Sequence, residues 1–391
     1  MNLNRREIQD FIDRHLKSKA ADLMLQASKY PEWDMKSVVQ QLLGKQLAQK
    51  KLPNWFQNKN VLYPARLSME QCSSEATAKY KSSIIHSGKG IDLTGGFGVD
   101  AYYLAQKSDT LIYCEQNADL AKMVTHNFKA LGQDNCSVYI GDGIHHLKEL
   151  EPLDWIYIDP ARRKETQRVF RLQDCEPNII DCEALFFEKA RKILIKTAPL
   201  LDINQTLKDL ACVKEIHVVA LNNECKEVLY LIEKGYNAEA DIHCIHLSKE
   251  NHKRFSFKIS EEQDASIEYS KPLKYIYEAH SAIMKGGAFK SVAERYQLKK
   301  LHQHTHLYTS DKKVSDFPGR SFICEGEIGP NRKDLLKLGV YKANLACRNF
   351  PQKVEVLKKK LKLKDGGENY IFATTLIDGK PKLLLCKKVP Q

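Results

Sequence analysis

The chain has 391 residues, 43% of them hydrophobic and 28% charged, which allows two or three domains and a sizeable core. It contains no apolar run of about 18 residues, so no membrane-spanning helix is expected, and the start MNLNRREIQDFIDRHL lacks the apolar centre of a signal peptide. A soluble cytoplasmic protein is the expectation. The net charge of +12 is unevenly placed: residues 281–391 hold 23 Lys+Arg against 10 Asp+Glu, or +13, leaving −1 for the other 280. A basic C-terminal region on a near-neutral body points to a polyanion partner, with nucleic acid preferred over a merely solvated surface.

In chain order, residues 1–80 read as helical. Asn4 can cap a helix carrying Ile8, Phe11, Ile12 and Leu16, and a second helix spans about 35–50 before Pro53. Ser68-Met-Glu-Gln71 resembles a capping box opening a helix through Ile85. From 88 to 235, apolar runs alternate with helical stretches: GIDLT, TLIYCE, SVYIGD, WIYID and KILIKT, each followed by a helix. Continuous apolar runs between helices predict a parallel sheet buried on both faces. EIHVVAL and EVLYLIE follow with too few residues between them for a crossover, so they must pair antiparallel. Farther on, HCIHL and RFSFKI read as strands, Lys271–Met284 contains a helix, and KGGAFKSVAERYQL enters a helix from a Gly-Gly turn. Beyond FPGR the order is strand, helix, strand, helix, strand, strand, with Asp378-Gly379 at the last hairpin.

Eleven cysteines are scattered without a C-x-x-C pair, several inside apolar runs, as Cys114 is in LIYCE. They read as reduced, buried thiols, and no metal site is expected. His302, His304 and His306 alternate in HQHTH, which fits a polar strand face or a loop.

The chemistry lies at the ends of the apolar runs. Asp92, Thr94, Gly96 and Gly98 form D-x-T-x-G-x-G between a strand and a helix. This is not the G-x-G-x-x-G of a dinucleotide site. Its glycines let backbone approach a ligand closely, and Asp92 favours a cationic group over a phosphate. Glu115 ends the second run, where it can accept from ribose hydroxyls, Asp142 the third, where it can accept from an exocyclic amine, and Asp159 the fourth. One such acid can be a helix cap. Four at successive carboxyl ends read as one site, because ligands of open α/β sheets bind there.

On these residues the stretch 88–235 resembles a class I S-adenosylmethionine-dependent methyltransferase. The resemblance implies an α/β fold with a doubly wound, seven-stranded Rossmann-like sheet and an antiparallel last strand. It also implies that Asp92, Thr94, Gly95, Gly96 and Gly98 surround the methionine portion of S-adenosyl-L-methionine, with Glu115 on the ribose and Asp142 near the adenine. Asp159-Pro160-Ala161-Arg162 stands where the D/N-P-P-aromatic or D-P-P-R motif is found. Ala161 replaces the second proline, and Arg162 with Arg163 replaces the aromatic, so stacking on a target base is lost and two guanidiniums can grip a phosphate or carboxylate instead. Asp159, Pro160 and Arg162 are thus the catalytic candidates. Arg162, Arg163, Lys358, Lys359 and Lys360 are the substrate-binding ones.

More narrowly, the chain is similar to bacterial methyltransferases with a C-terminal THUMP-like domain, through SSEATAKYKSSII, DLTGGFGVD, YIDPARR, IMKGGAFKSVAERY, HTHLYTSD, FPGRSF and ANLACRNFPQKVEVLKKKLKLKDGG. The implied organisation is a helical segment at 1–80, a methyltransferase domain at 81–235, a connecting ferredoxin-like segment at 236–320 and a basic THUMP-like α+β domain at 321–391. THUMP domains are associated with RNA, which makes rRNA or tRNA the expected partner. A small-molecule methyltransferase and a non-catalytic RNA-binding protein stand as alternatives.

Overall fold

The long apolar runs form the centre of one large sheet. The computed structural model describes residue 3 and residues 5–162, 171–248 and 252–389, with Arg162 described by its backbone alone. The strands of this sheet are β1 (Lys89–Asp92), β2 (Thr110–Glu115), β3 (Cys136–Ile140), β4 (Leu153–Ile158), β5 (Ala190–Thr197), β6 (Val213–Leu221), β7 (Glu224–Glu233), β8 (Asp241–Leu247) and β9 (Lys253–Phe257). Their order is β9-β8-β6-β7-β5-β4-β1-β2-β3. β1 to β5 are mutually parallel, and β7 runs antiparallel to β5. Ile156, Tyr157 and Ile158, like Ile193, Leu194 and Ile195, are consecutive and buried, the mark of a strand covered on both faces.

The sheet has nine strands where seven were expected. The two additional strands come from HCIHL, buried over Ile242–Ile245, and RFSFKI, whose Phe255 and Phe257 alternate with less buried residues; they continue the ladder outward from β6. β8 lies parallel to β6, and β9 closes the edge antiparallel.

Four helices that follow strands of this sheet begin on Asx caps. Asn117 accepts from the N–H groups of Asp119 and Leu120, Asp142 from His145, Asn178 from Ile180 and Asp202 from Gln205. Each satisfies backbone donors that the first helical turn leaves open. In the N-terminal segment, Ile8, Phe11 and Ile12 pack with Val38, Val39 and Leu42 of the helix Met35–Lys51. The first helix, Arg6–Arg14, follows Arg5, and the expected cap Asn4 lies outside the described residues. The expected box at Ser68 is corrected. Ser68–Gln71 lies inside a short helix, Arg66–Gln71, and Ser74 instead caps the helix Glu75–Ile84 by accepting from Thr77 N.

A second sheet is built from β10 (Tyr275–Ala279), β11 (Lys299–His302), β12 (Thr305–Ser310), β13 (Gly319–Ile328), β14 (Asn344–Arg348), β15 (Asn369–Thr375) and β16 (Pro381–Lys388), in the order β11-β12-β10-β13-β16-β15-β14. Alternation feeds two cores. Leu383 and Leu385 pack with Leu357 and Leu361, whereas Leu384 and Cys386 pack with Phe322 and Phe372. The stretch 271–284, read as containing a helix, enters as strand β10, and the helix Ser281–Gly286 follows it. HQHTH is a hairpin tip: His302 ends β11, His304 lies in the turn, and His306 sits on β12 against the Phe289 ring.

The chain divides into two compact units, Met1–Lys214 with Val228–Ala238, and Glu215–Glu227 with Glu239–Gln391. Among the described residues no helix is long and apolar enough to cross a membrane.

Candidate functional site at the carboxyl ends of the central strands

Parallel pairing aligns the ends of β1 to β5. Asp92 lies in register with Tyr113 and Tyr157, Glu115 with Ile140, and Ile158 with Ile195. Hydrogen bonds then join the loops. Thr94 donates its N–H to Asp92 Oδ1 at 2.9 Å and accepts from Asp159 N at 2.7 Å through Oγ1. Gly96 donates its N–H to Glu115 Oε2 at 2.9 Å, and Asn117 N donates to Oε1 at 2.7 Å. Two hydrogen-bonded groups, Asp92–Thr94–Asp159 and Gly96–Glu115–Asn117, thus meet on one turn, Thr94–Gly96. The shape of the turn requires glycine at Gly95 and Gly96, and again at Gly98, where φ is +75 and a Cβ would lie 2.7 Å from Val124 Cγ1. A Cβ on Gly95 would sit 2.0 Å from the Tyr113 ring. Gly96 has φ +54, and a Cβ there would meet nothing nearer than Thr94 O at 3.9 Å, so its outer face is open. Gly98 N–H closes the turn onto Gly95 O.

Asp142 has a double position. Its Oδ1 caps the helix Gly143–Glu149 at 2.9 Å, and its Oδ2 accepts from Gln116 Nε2 at 3.3 Å.

The electrostatics are set by burial. Asp92 is 1% exposed, and burial, reinforced by the negative charges of Asp100 and Asp159, pushes its carboxyl up to about 8. Its Oδ2 is buried with no hydrogen-bond partner among the described residues. Burial also opposes ionisation of Asp100, but Lys81, Lys196, Ser73 and Tyr157 together outweigh it and hold that carboxyl below its usual range.

Three groups here escaped the sequence reading. Lys196, at the end of β5, forms an ion pair with Asp159. The fully buried Lys81 reaches Asp100 Oδ1 at 3.2 Å. Asp100 Oδ2 accepts from Ser73 Oγ and Tyr157 Oη, both at 2.8 Å. Lys196 had a findable signal, since it ends the fifth apolar run as the acids end the first four. Lys81 had none, because its partner lies on another helix.

Pro160 is half-buried after Asp159. The backbone of Ala161–Arg162 pairs antiparallel with Cys175–Glu176, while Arg163 lies outside the described residues. Lys358, Lys359 and Lys360 belong to the second unit, on the helix Val354–Leu361. Lys358 forms an ion pair with Asp365, and Lys359 and Lys360 are exposed. All eleven cysteines are free. Burial raises the Cys182 thiol above its usual value, which disfavours its thiolate.

Comparisons with known proteins agree in the C-terminal third and over the whole chain. Residues 275–318 match a ferredoxin-like domain, and residues 330–388 match a THUMP domain-like family. The crystal structure of a "putative methyltransferase" from Porphyromonas gingivalis W83 superimposes with a TM-score of 0.88 at 36% identity, covering 98% of both chains. The M. capricolum protein TrmK, solved with S-adenosyl-homocysteine, gives a TM-score of 0.33 at 15% identity over 41% of this chain and 68% of that one. No curated protein matches the chain. On the full-length similarity to the Porphyromonas gingivalis protein and the C-terminal match, the chain belongs to the bacterial class I S-adenosylmethionine-dependent methyltransferase family that carries a C-terminal THUMP-like domain.

Proposed function

We propose that the chain is an S-adenosyl-L-methionine-dependent methyltransferase that acts on an RNA, rRNA or tRNA, bound through its basic C-terminal region. The observation that carries this reading is one open glycine turn shared by two hydrogen-bonded groups, Asp92–Thr94–Asp159 and Gly96–Glu115, with the orphaned Asp92 Oδ2 beside it. A buried acceptor without a donor costs about 1–3 kcal/mol. A cationic α-amino group supplies a donor and favours the ionised form of the Asp92 carboxyl over its protonated form, which suits the amino-acid end of the cofactor. The open face of Gly96 leaves room for its chain. Each Glu115 oxygen already accepts one N–H and keeps a lone pair for a ribose hydroxyl. Asp142 Oδ2, which accepts from Gln116, keeps a lone pair for the adenine amine.

When bound, the cofactor supplies an electrophilic sulfonium methyl. The chain contributes positioning and exclusion of water. Asp159, held by Thr94 and Lys196, orients the nucleophile by accepting its hydrogen bond. Pro160 fixes the backbone beside it. Arg162 and Arg163 meet an anionic part of the substrate. Catalysis is assigned to 81–235, with 1–80 as its helical cap, 236–320 as the connecting segment and 321–391 as the RNA-binding module. Lys358, Lys359 and Lys360 meet RNA phosphates, and the protein works in the cytoplasm.

Equilibrium binding of radiolabelled S-adenosyl-L-methionine tests the first half of the proposal. Saturable binding by the wild type that Asp92→Ala abolishes supports it, and no binding by the wild type overturns it. Mass spectrometry of rRNA and tRNA nucleosides from a strain lacking the gene tests the second half. A missing methylated nucleoside names the target, and an unchanged profile overturns the RNA reading.

A further inference from the structure

Away from the glycine turn, a second cluster of chemistry-bearing groups lies on β6, β8 and β9, within the second unit. We propose that Glu215, His217 and His243 form a binding site for a divalent transition-metal ion of the zinc type. The inference is independent of the methyl-transfer reading.

The site follows from register. Glu215 and His217 are two apart on β6 and so share a face. Parallel pairing sets His243 of β8 directly beside His217. Glu215 Oε2 lies 3.1 Å from His217 Nε2 and 3.5 Å from His243 Nε2. All three ligand atoms fall within 4.8 Å of one another. Zinc bonds of about 2.0–2.2 Å to imidazole and carboxylate set tetrahedral edges of about 3.4 Å. Two edges therefore stand near their bound length, and the imidazole–imidazole edge lies within 4.8 Å.

The Nε2 atoms of both imidazoles face the Glu215 carboxylate, so a metal ion entering between them takes the place of the Nε2 protons. Ser256 Oγ lies 2.9 Å from His243 Nδ1. That contact orients the ring with Nε2 toward Glu215, the outer-shell arrangement usual for metal-bound histidine. His217 and His243 are 3% and 5% exposed, while the half-buried Glu215 offers the way in. Two imidazoles and a carboxylate leave a fourth position for water or an anion.

Arg254 is the competitor. Its Nη2 lies 3.0 Å from both nitrogens of His243, so a guanidinium already occupies a cation's place. The side chain is exposed, and it must swing away when a metal enters.

The test uses the full-length protein stripped with chelator. Zn²⁺ is titrated by calorimetry, and Co²⁺ is followed by its visible absorption. One equivalent per chain at micromolar affinity or better is expected, with a tetrahedral Co²⁺ spectrum. His217→Asn and His243→Asn should each abolish it. Because these buried changes can unfold the chain, two variants at less buried positions give graded readouts. Ser256→Ala should weaken binding about 10- to 100-fold, and Arg254→Ala should tighten it about ten-fold by removing a nearby positive charge. Absence of stoichiometric binding by the wild type overturns the proposal. So does affinity that neither Ser256→Ala nor Arg254→Ala changes.

Discussion

Asp92 shows how one carboxyl can be set by its surroundings. Its ordinary value is 3.8, and burial raises it to about 8 in the fold. The folded state therefore holds a proton that the unfolded chain has lost. The stability this proton contributes is complete below pH 4 and disappears as pH rises to about 8. Asp92→Asn, which stays neutral, should gain on the wild type across that window, by on the order of a few kcal/mol at the alkaline end. Denaturant titrations at pH 5 and pH 8.5 measure the difference, and an equal response of both proteins would refute the buried-acid account. Lys196 is the second residue-scale case. Its ammonium pairs with Asp159, so Lys196→Met should lower turnover about 10²-fold and leave cofactor affinity nearly unchanged. Single-turnover rates combined with cofactor titration separate the two effects. The four strand-end acids were legible because each closes an apolar run. Lys196 closes one too, but a rule that sought only acids passed over it.

At the scale of elements, caps and register decide. Ser74, not Ser68, opens the helix that carries Lys81 to Asp100. Ser74→Ala should lower stability by about 1 kcal/mol, whereas Ser68→Ala should change it by a few tenths at most. Thermal unfolding of the two variants makes the comparison. The misreading has a local cause, since both sites present a serine followed by a polar residue three positions later, and only the break at Cys72-Ser73 distinguishes them. Strands with long apolar runs were readable for the opposite reason, because burial on both faces removes the ambiguity of alternation. β10 was harder. Its Tyr275–Ala279 run is short and directly precedes a helix, so the two periods merge into one apolar stretch.

At the scale of the molecule, charge is the feature that sequence gives directly. The excess of +13 in residues 281–391 includes the exposed Lys359 and Lys360 on the helix Val354–Leu361. RNA affinity should fall steeply with salt, with each phosphate contact adding about 0.7 to the logarithmic slope for a single strand. Replacing Lys359 and Lys360 together by alanine should reduce the slope by about one to two. Filter binding between low and physiological salt gives the slope, and a flat wild-type response would remove the nucleic-acid partner.

The sequence by itself determined the alternation of strands and helices, the acids and glycines at the strand ends, the antiparallel closing pair and the basic C-terminal third. Each is a local property of spacing, burial tendency or charge. Tertiary structure alone decided that the sheet extends to nine strands, that Asp92 is buried deeply enough to hold its proton, and that Lys196 pairs with Asp159 and Lys81 with Asp100. It also brought His243 beside His217 across 26 positions of chain. Periodicity states which way a side chain points along its own strand. Which strand lies next to it, and in what register, depends on packing between distant segments.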